Sequence, residues 1–279
     1  MGESKGEWRE GEEAALEIAT PPAPGAAKKG TSYEKMPQEE ILETRRERKT
    51  SGLNGGINET EFIELEDDGA GVFKPREGER VVRDEVEAGT YYKRERAAYL
   101  MDRFLGFGMV PPTVIRQIKG KVGSFQEFIP EALNGHMITA LEYKKMEQTE
   151  FRRLWILDYI LWNSDRHRGN FLYKDGKIYA IDNGLTFGND DFIPHASFFG
   201  AEIPNDITEK LRLFLSWEQG KTILRTLLSE LLSQGEVDAC LARIEFIAGI
   251  LKNHNGVPQE YYEELPFYPK KLAAPETQQ

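Results

Sequence analysis

Apolar positions are sparse over residues 1–50 and then fall into two regimes. Glu61-Phe62-Ile63-Glu64-Leu65 mixes charged and apolar residues as a half-buried strand does. Asp67-Asp68-Gly69-Ala70-Gly71 reads as a hairpin turn, with Gly71 to Pro75 as the returning strand, and proline should close that strand or place it at an edge. From Tyr91 to Leu105 the spacing predicts a helix, with Tyr92, Ala98, Tyr99, Met101, Phe104 and Leu105 broadly on one side and Gly106 and Gly108 ending it. Val110 to Ile118 and Val122 to Ile129 read as two more strands, and Pro130 as a boundary.

Beyond Leu141 the period changes. Phe151, Leu154, Trp155, Asp158, Tyr159, Leu161 and Trp162 recur at helical intervals. A short hairpin follows, Phe171-Leu172-Tyr173 and Lys177 to Ile181 about a Lys174-Asp175-Gly176 turn. Ile207 to Trp217, Lys221 to Leu232 and Glu236 to Leu251 predict three closing helices. The expected fold class is therefore α+β: a small antiparallel sheet with one long helix, then a mainly helical region.

Residues 1–38, with Pro21-Pro22-Ala23-Pro24-Gly25 and few large apolar side chains, cannot bury enough surface to offset chain entropy. Glu39 to Lys49 is compatible with a short charged helix of largely polar surface. The expected divisions are a charged tail over 1–49, a sheet lobe over 50–130, a helical lobe over 131–265 and a loose end over 266–279.

A net charge of −11 argues against a nucleic-acid partner, whose binding needs Lys and Arg on phosphates. No eighteen-residue apolar run exists and the first residues lack an apolar signal region, so neither a membrane span nor secretion is expected. The single cysteine, Cys240, permits no internal disulfide and reads as a buried helix residue, which fits a reducing cytoplasm.

The chemistry is concentrated in Asp165-Arg166-His167-Arg168-Gly169-Asn170 and Ile181-Asp182-Asn183-Gly184. An acid and a carboxamide stand five residues apart, and a second acid follows twelve positions after Asn170. Phosphoryl transfer from a nucleotide needs that inventory: a carboxylate beside the acceptor hydroxyl, and an Asn and an Asp as hard oxygen ligands for metal ions. Protein kinases use the same Asp-x-x-x-x-Asn spacing before a metal-binding Asp-Phe-Gly, whose place Asp182-Asn183-Gly184 takes here. His167 has no cysteine or second close histidine beside it, so it reads as a loop or exposed residue rather than a zinc ligand. Trp155 and Trp162 read as core, and Arg166 either pairs with a carboxylate or is exposed.

These motifs, with Val72-Phe73-Lys74-Pro75, Glu95-Arg96-Ala97-Ala98-Tyr99-Leu100, Leu105 to Thr113 and Leu157 to Arg166, resemble the phosphatidylinositol 3-/4-kinase-like superfamily. The nearest likeness is to its bacterial branch and the type II phosphatidylinositol 4-kinases. The resemblance covers about residues 52–190 and implies a bilobal protein-kinase-like fold using ATP and Mg²⁺, with Mn²⁺ as an alternative. It implies that Lys74 binds the nucleotide's phosphates and that Glu95, rather than Glu85 or Glu87, pairs with it. Asp165 would orient or deprotonate the acceptor, and Asn170 and Asp182 would hold the metal. Gly52, Gly55 and Gly56 would bring backbone amides to the phosphates, a plain turn being the alternative. Glu127, Phe128 and Ile129 would form the hinge that meets adenine, simple core packing being the alternative.

The acceptor would be a hydroxyl on a protein or a phosphoinositide. Leu185 to Phe199, expected to meet it, holds Asp190 and Asp191 and no Lys or Arg, which modestly favours a protein. The other classes are AMP transfer on the same fold and a nucleotide-binding pseudokinase scaffold.

Overall fold

The computed structural model describes residues 33–53, 58–67, 69–80, 86–146, 148–188, 200–259 and 261. Gly55 and Gly56, Glu85, and Asp190 and Asp191 lie outside them, as do both chain ends.

Five antiparallel strands form the first lobe: β1 (Glu47–Gly52), β2 (Glu61–Leu65), β3 (Ala70–Pro75), β4 (Thr113–Ile118) and β5 (Lys121–Glu127), in the order β1-β2-β3-β5-β4. Two helices accompany them, α1 (Pro37–Thr44) and α2 (Tyr91–Leu105). β3 ends at Pro75, opposite Gly123, because proline has no N–H to extend the ladder. β4 begins three residues later than its apolar run, since Pro111 and Pro112 cannot donate either.

The charged tail expected through residue 49 ends earlier. α1 buries Leu42 among Ile63, Leu65, Phe73, Val114, Ile118 and Phe125, and β1 continues the sheet. The short charged helix read over Glu39 to Lys49 stands at Pro37–Thr44 and buries only Glu39 and Leu42, while β1 escaped the hydrophobic pattern because it is an edge strand exposed at nearly every position.

The second lobe holds α3 (Ala140–Lys145), α4 (Gln148–Leu161), α5 (Asn205–Ser216), α6 (Glu218–Ser229) and α7 (Gln234–Ile250). It also carries a small sheet of β6 (Leu133–Asn134), β7 (Phe171–Lys174) and β8 (Lys177–Ala180). The three closing helices fall within a few residues of the predicted ones. Its core gathers Leu154, Leu157, Trp162, Phe214, Leu224 and Ile244. Cys240 is buried there, as expected.

α2 belongs to both lobes. It packs on β4 and β5 on one side and on α5 and α6 on the other, and its Ala97, Ala98, Leu100 and Met101 join the large core. Eleven of its residues are buried, among them the charged Arg94, Glu95 and Asp102. A helix so enclosed has to find a partner for each of those charges.

Candidate active site

Lys74 is the penultimate residue of β3, and its Nζ lies 2.5 Å from Glu95 Oε1 on α2 and 2.9 Å from Asp182 Oδ1. The second Glu95 oxygen accepts from the Asn183 backbone N–H at 3.0 Å. Glu95 thus closes a ring joining strand, helix and the Asp182 segment. Glu87 is exposed in the turn before α2, so Glu95 is the glutamate that meets Lys74. Burial alone would depress the Lys74 ammonium, but Asp182 and Glu95 outweigh it and raise its pKa. Lys74 in turn holds Asp182 below the usual carboxylate range against the opposing effect of burial, with help from Arg166 and His167.

Asp182 follows β8 in the left-handed region, with φ 56°. Aspartate tolerates that conformation better than most residues, at a cost of about 1–2 kcal/mol. Gly184, two residues on, lies against α2: a Cβ there would stand 3.1 Å from Tyr91 Cβ.

The Asp165 loop follows α4. Asn163 Oδ1 accepts from the Asp165 N–H at 3.0 Å, and Asn170 Nδ2 donates to the Asp165 carbonyl at 2.8 Å and its Oδ2 at 3.3 Å. The Ile181 N–H donates to the Asn170 carbonyl at 3.1 Å, which sets Asp182 beside that loop. The Arg166 side chain is withdrawn from water rather than exposed. Its guanidinium pairs with Asp158 of α4 and reaches the carbonyls of Asn170 and Ile181 and Asn183 Oδ1. His167 Nδ1 accepts from the Gly169 N–H at 3.0 Å and its ring stacks on His136, a loop-holding role.

A cavity of about 260 Å³ opens between the lobes, lined by Lys74, Glu95, Asp165, His167 and Asp182 together with Asn58, Glu59 and Glu79. The proposed hinge residues are not in its lining. The Glu127 and Phe128 amides are taken by the Pro112 and Ala70 carbonyls at 2.8 and 3.0 Å, so adenine contacts from those two would use their carbonyls. Burial raises the Glu127 carboxyl.

Three contributors went unread in the sequence. Asp158 and Asn183 receive Arg166, and the signal was an acid inside the apolar stripe of α4. Glu79 accepts from the Gly89, Tyr91 and Tyr92 amides at 2.6, 3.0 and 2.8 Å, so a carboxylate twelve residues before α2 caps its positive end. Thr90, the residue placed to do so, makes no side-chain cap.

The model for phosphatidylinositol 3- and 4-kinases matches residues 88–234, more than half of the chain. This chain belongs to that family. Glu95, Asp165, Asn170 and Asp182 lie inside the match, while Lys74 lies before it and is joined to it by the contact with Glu95. Protein Rv2133c of Mycobacterium tuberculosis is 29% identical over 147 residues, 41% of this chain and 52% of that protein. Phosphatidylinositol 4-kinase gamma 7 of Arabidopsis thaliana is 27% identical over 165 residues, 51% of this chain and 23% of that protein. The chain thus spans about half of the first relative and a quarter of the second. Among solved structures, hydra Fam20 with sugar superposes with a TM-score of 0.56 at 17% identity, covering 76% of this chain and 86% of that one. The Golgi casein kinase with Mn/ADP bound gives 0.52 at 18% identity, covering 76% and 74%. The fold is the bilobal, protein-kinase-like one, with the antiparallel sheet and α2 in one lobe and the helices in the other.

Proposed function

We propose that this chain is an ATP- and divalent-metal-dependent kinase that moves the γ-phosphoryl group to a hydroxyl on a protein. The observation that carries the reading is the Lys74 ammonium seated between Glu95 and Asp182 at a cavity that Asp165 also lines. In this reading Lys74 binds the nucleotide's phosphates and Glu95 holds it in place. Asp165 takes the proton from the acceptor hydroxyl as its oxygen bonds to the γ-phosphorus and the bond to the β-phosphate oxygen breaks, releasing ADP. Asn170 and Asp182 are the metal ligands. They fit that task because both offer hard oxygens, their segments are bonded backbone to backbone, and the Asp182 side chain stays half exposed beside the cavity. A divalent metal there supplies charge neutralisation on the phosphate oxygens.

The acceptor preference follows from charge. The carboxylates of Glu59, Glu79, Glu95, Asp165 and Asp182 line the cavity against Lys74 and His167, a setting that disfavours a phosphorylated inositol. Labelled ATP with Mg²⁺ or Mn²⁺, offered with a mixture of protein acceptors or with phosphatidylinositol vesicles, tests this. Protein labelling is expected, with a mass gain of one phosphate, lost in Asp165→Ala and Asp182→Ala. Labelling of lipid alone overturns the acceptor, a gain of AMP overturns the reaction, and turnover absent from the parent overturns the enzyme.

A further inference from the structure

Three consecutive residues of α2 tie it to three different parts of the molecule. Arg94 reaches Glu236 Oε1 of α7 and the Thr186 carbonyl, both at 2.6 Å. Glu95 meets Lys74. Arg96 turns to the opposite flank, where Nη1 donates to Glu39 Oε1 at 2.7 Å and to the Thr113 carbonyl at 2.6 Å.

Glu39 is wholly buried although it sits in a short, polar helix. Its carboxylate accepts from the Tyr33 hydroxyl, the Met36 N–H, Arg96 and, two helical turns further along α2, Arg103 Nη1 at 2.6 Å. The Arg103 guanidinium lies 4.5 Å over the Tyr33 ring. Tyr33 stacks on Phe104 of α2 at 6.1 Å, and Phe104 on Trp217, between α5 and α6, at 5.7 Å. Arg116 fastens the other end of α1 through the Leu42 and Arg45 carbonyls. Residues 33–44 therefore grip α2 along its back from Arg96 to Phe104, across from the flank that meets Lys74.

We propose that Glu39 is a positioning residue for the active site: by fixing Arg96 and Arg103 it sets the rotation of α2 that presents Glu95 to Lys74. Side-chain heads stand about 6 Å from a helix axis, so a rotation of roughly 20° moves Glu95 by about 2 Å, enough to break its contact with Lys74. The buried Glu39 carboxylate is the common charged anchor of two arginines; without its charge Arg96 keeps the Thr113 carbonyl and Arg103 the Tyr33 hydroxyl and Glu34 carbonyl, neutral acceptors that hold the rotation less firmly against Arg94 on the far side. The inference rests on reading Lys74 and Glu95 as the nucleotide-binding pair.

The test uses the full chain and Glu39→Gln, with Tyr33→Phe as a milder variant and Leu65→Ala as a control that weakens the sheet core under α1 while keeping the Glu39 carboxylate and both arginines. Two readouts are taken where every variant is folded: phosphate transfer, and modification of Lys74 by trinitrobenzenesulfonate, measured at that lysine by mass spectrometry. A lysine released from Glu95 loses the carboxylate that covers its ammonium on the α2 side and is more open to the reagent. Glu39→Gln is expected to raise Lys74 modification severalfold and to lower kcat about tenfold with a smaller change in KM for ATP. Tyr33→Phe should move both in the same direction by less. Leu65→Ala should lower Tm and leave Lys74 modification near the parent's. Unchanged Lys74 modification in Glu39→Gln, or an equal change in Leu65→Ala, overturns the proposal. Where Glu39→Gln does not fold, Tyr33→Phe decides by the same criterion. Should the parent transfer no phosphate, the proposed function fails while Lys74 modification still reports on Glu39.

Discussion

Arg166 donates through Nε and Nη2 to the carboxylate of Asp158 at 3.0–3.1 Å, and both side chains are almost wholly withdrawn from water. The same guanidinium reaches Asn183 Oδ1 and the Ile181 carbonyl at 2.6 Å, so one cation fastens the Asp165 loop and the Asp182 segment to α4. Removing one partner of such a pair strands the other charge at a cost of about 3–5 kcal/mol. Asp158→Ala should therefore lose about that much stability in denaturant titrations and most of its phosphate transfer. The double variant Asp158→Leu, Arg166→Met should recover part of that stability without activity, because no charge is stranded but the Asn170 and Ile181 carbonyls still lose their donor. Equal recovery of both would show that Arg166 acts on folding alone.

Lys74 also depends on how closely β5 approaches β3. A Cβ on Gly123 would stand 2.3 Å from the Lys74 carbonyl oxygen and 2.8 Å from Pro75 Cα, and backbone cannot give way as a flexible side chain can. Gly123→Ala is expected to cost about 1–3 kcal/mol and to lower ATP turnover beyond its loss of folded protein, since β3 shifts at Lys74. Gly52→Ala on β1, where a Cβ meets nothing within 4 Å, should be neutral or slightly stabilising. Matching stability and turnover in the two variants would remove the special role of Gly123.

What the sequence disclosed divides along physical lines. The β2–β3 hairpin alternates and the closing helices each carry an apolar stripe, so periodicity reveals them, while α2 and α4 are buried on most sides and show as long, apolar-rich segments. Lys74, Glu95 and Asp182 stand in an order that the motifs carry, and the fold brings them into one cluster. Glu39 could not be read this way. Its burial depends on Arg96 and Arg103, 57 and 64 residues away, and its own neighbours are polar. Glu79 is similar, since capping α2 from outside its first turn leaves no local signature. The Glu127 and Phe128 amides pair with the Pro112 and Ala70 carbonyls, a detail of strand pairing that the run of residues does not disclose.

Asp102 offers a test of electrostatics away from the chemistry. Its buried carboxylate accepts from the Met109 and Val110 amides at 3.0 and 3.1 Å, closing the turn that leads from α2 to β4. Burial pushes its pKa up to about 7 from 3.8, against the pull of those amides and Lys210. Between these values the unfolded chain has released the proton that the folded chain retains. The stabilising contribution is therefore complete below pH 3.8 and is lost as pH rises through 7. At about 1.4 kcal/mol per unit, this site should cost the parent roughly 2–3 kcal/mol between pH 5 and 8. Asp102→Asn keeps an oxygen where Oδ2 accepts both amides and cannot ionise. Its stability relative to the parent should improve by a similar amount over that interval, measured by urea titration at each pH. A constant difference between the two proteins from pH 5 to 8 would mean that Asp102 is already ionised at the lower limit and that the two amides outweigh its burial.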